Sequence, residues 1–181
     1  MIVGISGRMG SGKDTVAKII KDKFPDKNFE IIHFADPLKL FCIDYLGLHY
    51  DYVYTEDGKK CFNPYWNMTN REILQKVGTD ALRNGFDEDV WVKIMELRIL
   101  NNPDKNFIIP DVRFDNEAEM VNKHSGIMLN ITRNSANKDS HISEKGISKE
   151  LICFNISNNK TLYDLEADVV YYLRDFFNYV G

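Results

Sequence analysis

Short apolar runs alternate along the chain with segments whose apolar residues recur every three or four positions. Residues 2–5 form an apolar run that predicts a short buried strand, and residues 16–24 have the spacing of an amphipathic helix. Strands that alternate with helices favour a parallel sheet with helices on both of its faces. The later predicted strands are 29–34, 107–111, 126–132 and 151–157, and the later helices begin near Asp36, Thr69, Asp87, Asp115 and Thr161.

A glycine-rich turn, residues 7–15, joins the first predicted strand to the first predicted helix. Gly7, Gly10 and Gly12 allow backbone conformations that other residues avoid, and the helix directs its positive end at the same point. Lys13 adds a charge that can reach the β and γ phosphates of a nucleotide and completes the G-x-x-x-x-G-K part of a P-loop. The sequence therefore predicts a phosphate-binding loop; the alternative is a turn that only starts a helix.

The residue after the lysine departs from the usual P-loop pattern. Asp14 stands where Ser or Thr is usual, and Thr15 follows one place later. Several nucleotide kinase families also carry the hydroxyl two places after the lysine, so Thr15 is the candidate Mg²⁺ ligand of this loop. The predicted ATP contacts in the loop are Gly10, Ser11, Gly12, Lys13, Asp14 and Thr15.

Composition narrows the class of protein. The length of 181 residues predicts one domain, and 44% apolar with 28% charged residues is typical of a soluble globular protein. The net charge of −4, from 23 Lys and Arg against 27 Asp and Glu, argues against a general nucleic-acid binder. Three widely spaced cysteines predict a reducing, cytoplasmic compartment, and no apolar run is long enough to span a membrane.

Two regions of the middle segment offer candidate substrate contacts. Asp36 precedes Pro37 and is either the cap of a helix or a substrate ligand, while Lys39 is either a substrate ligand or a solvated charge. Residues 48–68 are aromatic and turn-rich without periodicity, which predicts a long loop.

The helix predicted after Thr69 opens with a capping box, because Glu72 follows three residues later. Arg71, Gly78 and Thr79 lie off the apolar stripe of this helix or at its edge. A glycine inside a helical pattern, such as Gly78, often marks a close approach by a ligand or a neighbouring backbone. Trp91, on the following helix, is either a core residue or an aromatic face against a base.

Asp111 and Arg113 follow the predicted strand 107–111. Functional residues collect at the carboxyl ends of parallel strands, so Asp111 is a candidate to act on Mg²⁺ or substrate. The planar guanidinium of Arg113 suits a phosphate. Glu117 is either a substrate contact or an acid that stabilises the start of the next helix.

Arg133 opens a polar segment after the strand 126–132. Such a segment, residues 133–150, predicts a lid that closes over a nucleotide. His141 within it is interpreted as a surface or hydrogen-bonding residue, because phosphoryl transfer depends on positioning and charge more than on proton transfer.

Six blocks in series resemble the phage and viral deoxynucleoside monophosphate kinases, a P-loop family. They are SGKDT at 11–15, FADPLK at 34–39, LQKVGTDALRN at 74–84, DVW at 89–91, IIPDVRFDNEAE at 108–119 and HISE at 141–144. The resemblance implies an α/β three-layer sandwich with a five-stranded parallel sheet. It also implies a single domain over 1–181, with a helical monophosphate-binding region at about 37–100 and a lid at about 133–150.

The resemblance further implies an ATP-dependent kinase that forms deoxynucleoside diphosphates with Mg²⁺ in the cytoplasm of a host cell. Lys13, Asp111 and Arg113 would be catalytic, Thr15 and Asp111 would hold Mg²⁺, and Arg133 would bind ATP. Neither nucleic acid nor membrane is an expected partner, and the oligomeric state, a homodimer included, stays open. The expected substrate contacts are Asp36, Lys39, Arg71, Gly78, Thr79, Trp91, Asp111, Arg113 and Glu117.

Two other functions remain open at this point. A phosphomevalonate-kinase-like enzyme would share the SGKD type of loop, although the GTD and DVW blocks favour a nucleotide. A nucleotide-binding switch module would have no phosphoryl acceptor, although the chain lacks a recognisable N-K-x-D motif for guanine.

Overall fold

A computed structural model describes residues 1–134 and 146–180 of the chain. The chain forms two compact units, one built from Met1–His33 with Ile99–Gly181 and the other from Phe34–Arg98. The helical region predicted at about 37–100 overlaps the second unit, and its role as a monophosphate-binding region stays a prediction.

The first unit is organised around a five-stranded sheet in which every neighbouring pair is parallel. Its strands are β1 (Ile2–Ser6), β2 (Phe29–Ile31), β5 (Asn106–Ile109), β6 (Ile127–Thr132) and β7 (Phe154–Ser157). The strand order is β2-β5-β1-β6-β7, which confirms the predicted α/β fold.

Side-chain alternation along the strands places helices on both faces of this sheet. Val3 and Ile5 of β1 belong to a buried cluster with apolar residues of helices α1 (Lys13–Lys23) and α8 (Leu162–Val180). Gly4, between them, points the other way, and a Cβ there would collide with Met128 Sδ and come within 3.2 Å of Val121 Cγ2. Val121 lies on helix α7 (Asp115–Lys123), so that helix covers the opposite face.

The second unit is mainly helical and has a core of its own. Cys42, Leu48, Val53 and Ile73 are its fully buried cluster, and burial raises the pKa of the Cys42 thiol to about 11. Its elements are α2 (Asp36–Asp44), α3 (Tyr50–Tyr54), α4 (Glu56–Lys60), β3 (Phe62–Asn63), β4 (Met68–Thr69), α5 (Asn70–Gln75) and a π-helix (Lys76–Asn84), and α6 (Val90–Leu100) follows them in the chain.

The prediction of a long loop at 48–68 is wrong. The segment contains α3, α4 and the antiparallel pair of β3 with β4. Each of its helices has five residues, which is too short to show a 3.6-residue period, and each is started by a local cap. His49 Nδ1 accepts from the Asp51 amide at 3.3 Å, and Thr55 Oγ1 accepts from the Gly58 amide at 3.0 Å.

The interpretation of Asp36 as a helix cap is also wrong, because α2 begins at Asp36 itself and Ala35 occupies the cap position. The predicted box of Thr69 with Glu72 is confirmed: each backbone amide of the pair is bonded to the other's side chain, at 2.7 and 3.2 Å. Several boundaries differ from the predicted ones: β2 ends at Ile31, β5 ends at Ile109, α6 starts at Val90 and β7 starts at Phe154.

Among residues 1–134 and 146–180, none of the helices combines the length and the apolar character that crossing a membrane requires.

Candidate functional site

The turn between β1 and α1 has the backbone geometry of a phosphate cradle. Gly7, Gly10 and Gly12 have φ angles of +142°, +80° and +101°, a region that side chains strongly disfavour. A Cβ on Gly7 would also collide with the Ile131 carbonyl oxygen and lie 2.7 Å from Ser11 Oγ. Glycine at these positions is therefore required by the path of the loop.

The ammonium group of Lys13 lies against this loop. Lys13 Nζ donates to the carbonyl oxygen of Gly7 at 2.7 Å and to that of Arg8 at 3.0 Å. Lys13 is the first residue of α1, so its charge and the positive end of the helix dipole act at the same place. The structure thus brings together the predicted lysine and the glycine-rich turn.

Ser11 is wholly buried in the loop, and its hydroxyl has no hydrogen-bond partner within the described residues. A buried hydroxyl without a partner is costly and calls for a specific explanation. An anion or water held in the cradle is a group of suitable chemistry, so this atom supports the prediction that the loop binds phosphate.

The candidate Mg²⁺ ligands are Thr15 and Asp111. Thr15 is exposed in the first turn of α1, next to the predicted ATP contact Asp14, and Asp111 is half-buried two residues after β5. No group of three or more His, Cys, Asp or Glu side chains in 1–134 and 146–180 could hold a metal ion. This donor set fits Mg²⁺ bound with a nucleotide, because Mg²⁺ usually takes one or two protein oxygens together with phosphates and water.

Glu117 has a structural role that the sequence offered as an alternative. Its side chain is buried, and Oε2 accepts from the backbone amides of Arg113 at 2.8 Å and Phe114 at 3.3 Å. This carboxylate therefore fixes the turn that carries Arg113, whose own side chain is exposed. Contacts of Arg113 and Glu117 with a substrate stay predictions.

Two candidate residues of the second unit contact each other. Trp91 is 7% exposed, and its indole Nε1 donates to the Gly78 carbonyl oxygen at 3.0 Å. Gly78 lies in the π-helix, and a Cβ there would come within 2.6 Å of Leu38 Cδ2. The close approach at Gly78 is made by the Leu38 side chain, whereas the sequence suggests a ligand or a neighbouring backbone. Trp91 is buried, as its core interpretation requires.

The charged candidates of the second unit are held by neighbouring side chains. Arg71 Nη2 lies 2.7 Å from Glu56 Oε2, and the ammonium of Lys39 lies 4.4 Å from the centre of the Tyr54 ring. Burial, the Asp36 charge and Tyr50 together raise the pKa of Tyr54. Thr79 is exposed on the π-helix.

Arg133 directly follows β6 and is exposed. Most of the predicted lid at 133–150 consists of residues 135–145, which include His141 and Glu144. These residues lie outside the part of the chain that the structure describes. Beyond that stretch, Ser148 donates from its amide and its hydroxyl to Asp115 at 2.7 and 2.6 Å, and these bonds lower the pKa of Asp115.

Asn158 contacts the phosphate cradle, although it is not one of the site residues predicted from the sequence. Its Nδ2 donates to the Ser11 carbonyl oxygen at 2.8 Å across 147 residues of sequence. The stretch Asn-Asn-Lys at 158–160 has the composition of an ordinary turn, so no local signal in the sequence marks this contact.

The glycine-rich loop, its lysine and the parallel sheet define an α/β P-loop protein with a helical second unit. The dephospho-CoA kinase of Campylobacter jejuni has the same fold, with a TM-score of 0.53 and 16% identity over 97% of this chain and 96% of that chain.

A family model described as deoxynucleotide monophosphate kinase matches residues 49–169. A protein of Acanthamoeba polyphaga mimivirus, assigned by name to the same kinases, is 31% identical over 94% of each chain. The deoxynucleoside-5′-monophosphate kinase of Escherichia phage T5 is 24% identical over 87% of this chain and 89% of its own. The chain belongs to the deoxynucleotide monophosphate kinase family.

Proposed function

We propose that this protein transfers the γ-phosphoryl group of ATP to a deoxynucleoside 5′-monophosphate, giving the diphosphate and ADP. The observation that carries the proposal is the cradle at residues 7–13, where Lys13 Nζ lies 2.7 Å from the Gly7 carbonyl oxygen. The cradle lies outside the stretch matched by the family model, residues 49–169, so the two lines of support are independent.

The ATP phosphates bind the cradle in this proposal. The loop residues 10–15, among them Ser11 through its buried hydroxyl, and the ammonium of Lys13 contact the phosphate oxygens, and Arg133 contacts the nucleotide from the end of β6. Lys13 moves from the Gly7 and Arg8 carbonyl oxygens to the phosphates when ATP arrives, and it then stabilises the charge that develops during transfer.

Thr15 and Asp111 are the residues that would hold Mg²⁺ beside the phosphates. Bound Mg²⁺ supplies neutralisation of charge on the β and γ phosphate oxygens. Both side chains offer oxygen ligands, and Thr15 is exposed at the helix start next to the cradle.

The acceptor monophosphate is bound by charged and polar side chains. Arg113 and Arg71 bind its phosphate, because planar guanidinium groups match phosphate oxygens in pairs. Trp91 packs near the base, and its burial against Gly78 supports a fixed ring position. The remaining proposed contacts are Asp36, Lys39, Thr79, Asp111 and Glu117.

A cytoplasmic location is part of the proposal. Cys42, Cys61 and Cys153 are free thiols, which is the state expected in a reducing compartment.

An assay of ADP release with the full chain, ATP and Mg²⁺ tests the reaction. dAMP, dCMP, dGMP, dTMP and phosphomevalonate are supplied one at a time, and a sample without acceptor gives the background hydrolysis. We expect at least one deoxynucleotide to raise ADP release well above that background, while phosphomevalonate does not. Turnover with phosphomevalonate alone, or ATP binding without any acceptor-dependent turnover, would contradict the proposal.

A further inference from the structure

Asn158 lies at the carboxyl end of the sheet, directly after β7, and its position is fixed from two sides. Its backbone amide donates to the Thr132 carbonyl oxygen at the end of β6, at 2.8 Å. Its side-chain amide donates to the Ser11 carbonyl oxygen, also at 2.8 Å. The side chain is half-buried, so this bond is partly shielded from competing water.

A second observation ties Asn158 to the loop. A Cβ on Gly12 would collide with Asn158 Nδ2, and Gly12 has a φ of +101°. The absence of a side chain at Gly12 therefore allows both the backbone turn and the approach of the asparagine. Gly12 therefore leaves the space that the Asn158 side chain occupies.

The bond to Ser11 determines where the next amide points. A trans peptide is planar, and its carbonyl oxygen and its N–H point in opposite directions. When Asn158 holds the Ser11 carbonyl oxygen, the Gly12 N–H, which lies in the same peptide plane, points in the opposite direction. The Gly12 carbonyl is in turn fixed by the Val16 amide at 3.0 Å, in the first turn of α1.

We propose that Asn158 is a positioning residue that holds the Ser11–Gly12 peptide in the orientation that binds the ATP phosphates. This inference rests on the proposed function of the loop as the ATP site. Asn158 does not touch the phosphates; it acts through the loop amides. Without its donor, the peptide can rotate away from the binding orientation, so ATP binding weakens because the loop must be ordered again.

The experiment compares full-length Asn158→Ala and Asn158→Leu with Asn155→Ala. Leucine has the same number and branching of side-chain heavy atoms as asparagine but has no donor, so it separates the hydrogen bond from the filling of space. Asn155 is a matched control on β7, since its Oδ1 accepts from Asn130 Nδ2 at 2.8 Å, a bond to the neighbouring strand β6. Calorimetric titration with Mg²⁺ and ATP, without acceptor, gives the affinity, and steady-state rates give KM for ATP and for the deoxynucleotide.

Both Asn158 variants should bind ATP about 3- to 10-fold more weakly, the range expected for one hydrogen bond. KM for ATP should rise in parallel, while KM for the deoxynucleotide stays within about twofold of the original value. The melting temperatures of Asn158→Ala and Asn155→Ala should fall by similar small amounts, because each variant loses one side-chain hydrogen bond. Asn155→Ala should bind ATP like the unmodified chain.

Unchanged ATP affinity in Asn158→Ala, or a loss in the alanine variant that leucine restores, would overturn the inference while leaving the proposed reaction intact. A chain that binds ATP but phosphorylates no deoxynucleotide would overturn the proposed reaction, and the calorimetric comparison would still decide the role of Asn158. A chain that does not bind ATP at all would overturn both.

Discussion

The phosphate cradle of the first unit and the candidate residues of the second unit are held in different ways. The cradle is built from backbone: three glycines with positive φ form it, and Lys13 Nζ donates to two of its carbonyl oxygens. In the second unit, Trp91 is buried against Gly78, and Arg71 is paired with Glu56. Removing the Lys13 side chain should therefore affect activity alone, whereas removing the buried Trp91 side chain should affect stability as well.

The largest expected effect is the loss of activity on Lys13→Ala. The ammonium neutralises phosphate charge during transfer, so kcat/KM should fall by about 100-fold or more, as when one preorganised donor is removed from an active site. The melting temperature should change by no more than about 2 to 4 °C, because the Lys13 bonds to the Gly7 and Arg8 carbonyl oxygens are half-buried and exposed. Coupled ADP-release rates and a thermal melt measure the two quantities.

Lys18→Ala is the matched control, because Lys18 is an exposed lysine of the same helix. It should retain full activity. If Lys13→Ala kept its turnover, or if it lost activity only by unfolding, the separation of activity from stability in the cradle would be disproved.

Trp91 provides the corresponding test in the second unit. Trp91→Phe removes the indole donor and leaves the buried Gly78 oxygen without it, which should destabilise the protein by about 1 to 3 kcal/mol. Trp91→Ala also opens a cavity and should cost about 3 to 5 kcal/mol. Because the proposal places this ring near the base, KM for the deoxynucleotide should rise in Trp91→Phe as well.

Trp66→Phe is the control for this effect, since Trp66 Nε1 donates to the Leu46 carbonyl oxygen at the same distance, 3.0 Å. Denaturant unfolding should show a similar loss of stability in both phenylalanine variants. Equal KM values for the deoxynucleotide in the two variants would leave Trp91 with a core role only.

The contrast between a loop built from local backbone and side chains held by distant neighbours also explains how much the sequence could predict. The turn at residues 7–13 is encoded locally, because glycine spacing and an adjacent lysine specify the backbone path, and the parallel sheet follows from strands that alternate with helices. The contacts of Gly78 with Leu38 and of Asn158 with Ser11 join residues distant in sequence. Such contacts depend on packing, which no periodicity or motif records.

Caps and short helices show an intermediate case. The box of Thr69 and Glu72 was predictable because both partners lie within one turn. The helices α3 and α4 were missed because five residues are too few for a period, although Thr55 caps α4 in an ordinary way. The cap interpretation of Asp36 fails because the helix begins at Asp36 itself, one residue earlier than a cap followed by Pro37 predicts.

Arg71 should show a smaller effect than Trp91 on stability and a selective effect on binding. Arg71→Gln removes the proposed phosphate contact, so KM for the deoxynucleotide should rise about tenfold, as expected for a hydrogen bond to a charged group. The exposed pair with Glu56 contributes at most about 1 kcal/mol, so stability should hardly change.

Lys59→Gln is the control, because Lys59 pairs with the other oxygen of Glu56 at 2.9 Å. It should leave KM unchanged. Equal KM changes in both variants would indicate that the charge of the cluster matters, and that Arg71 has no contact of its own with the acceptor.

The smallest effect concerns the acid dependence of stability in the second unit. The hydrogen bond from Lys59, together with Arg71, holds the pKa of Glu56 below its usual range. A lowered pKa in the folded state means that the charged carboxylate stabilises the fold above the unfolded-state pKa, and that this contribution is lost as the pH falls through the folded-state value. The side chain is 58% exposed, so solvent screening limits the contribution to below about 1 kcal/mol.

The free energies of unfolding of the original chain and of Glu56→Gln, measured with denaturant, should therefore differ slightly at pH 7. The two values should converge as the pH falls from about 5 to about 3. Asp57→Asn removes the neighbouring, fully exposed carboxylate, whose distance to Lys60 is 3.9 Å, and is the control for the loss of one negative charge from the same helix. A difference for Glu56→Gln that grows on acidification would mean that Glu56 is not stabilised as a carboxylate. Since Arg71 depends on this carboxylate for its position, that result would also remove the structural reason for treating Arg71 as held ready for a phosphate.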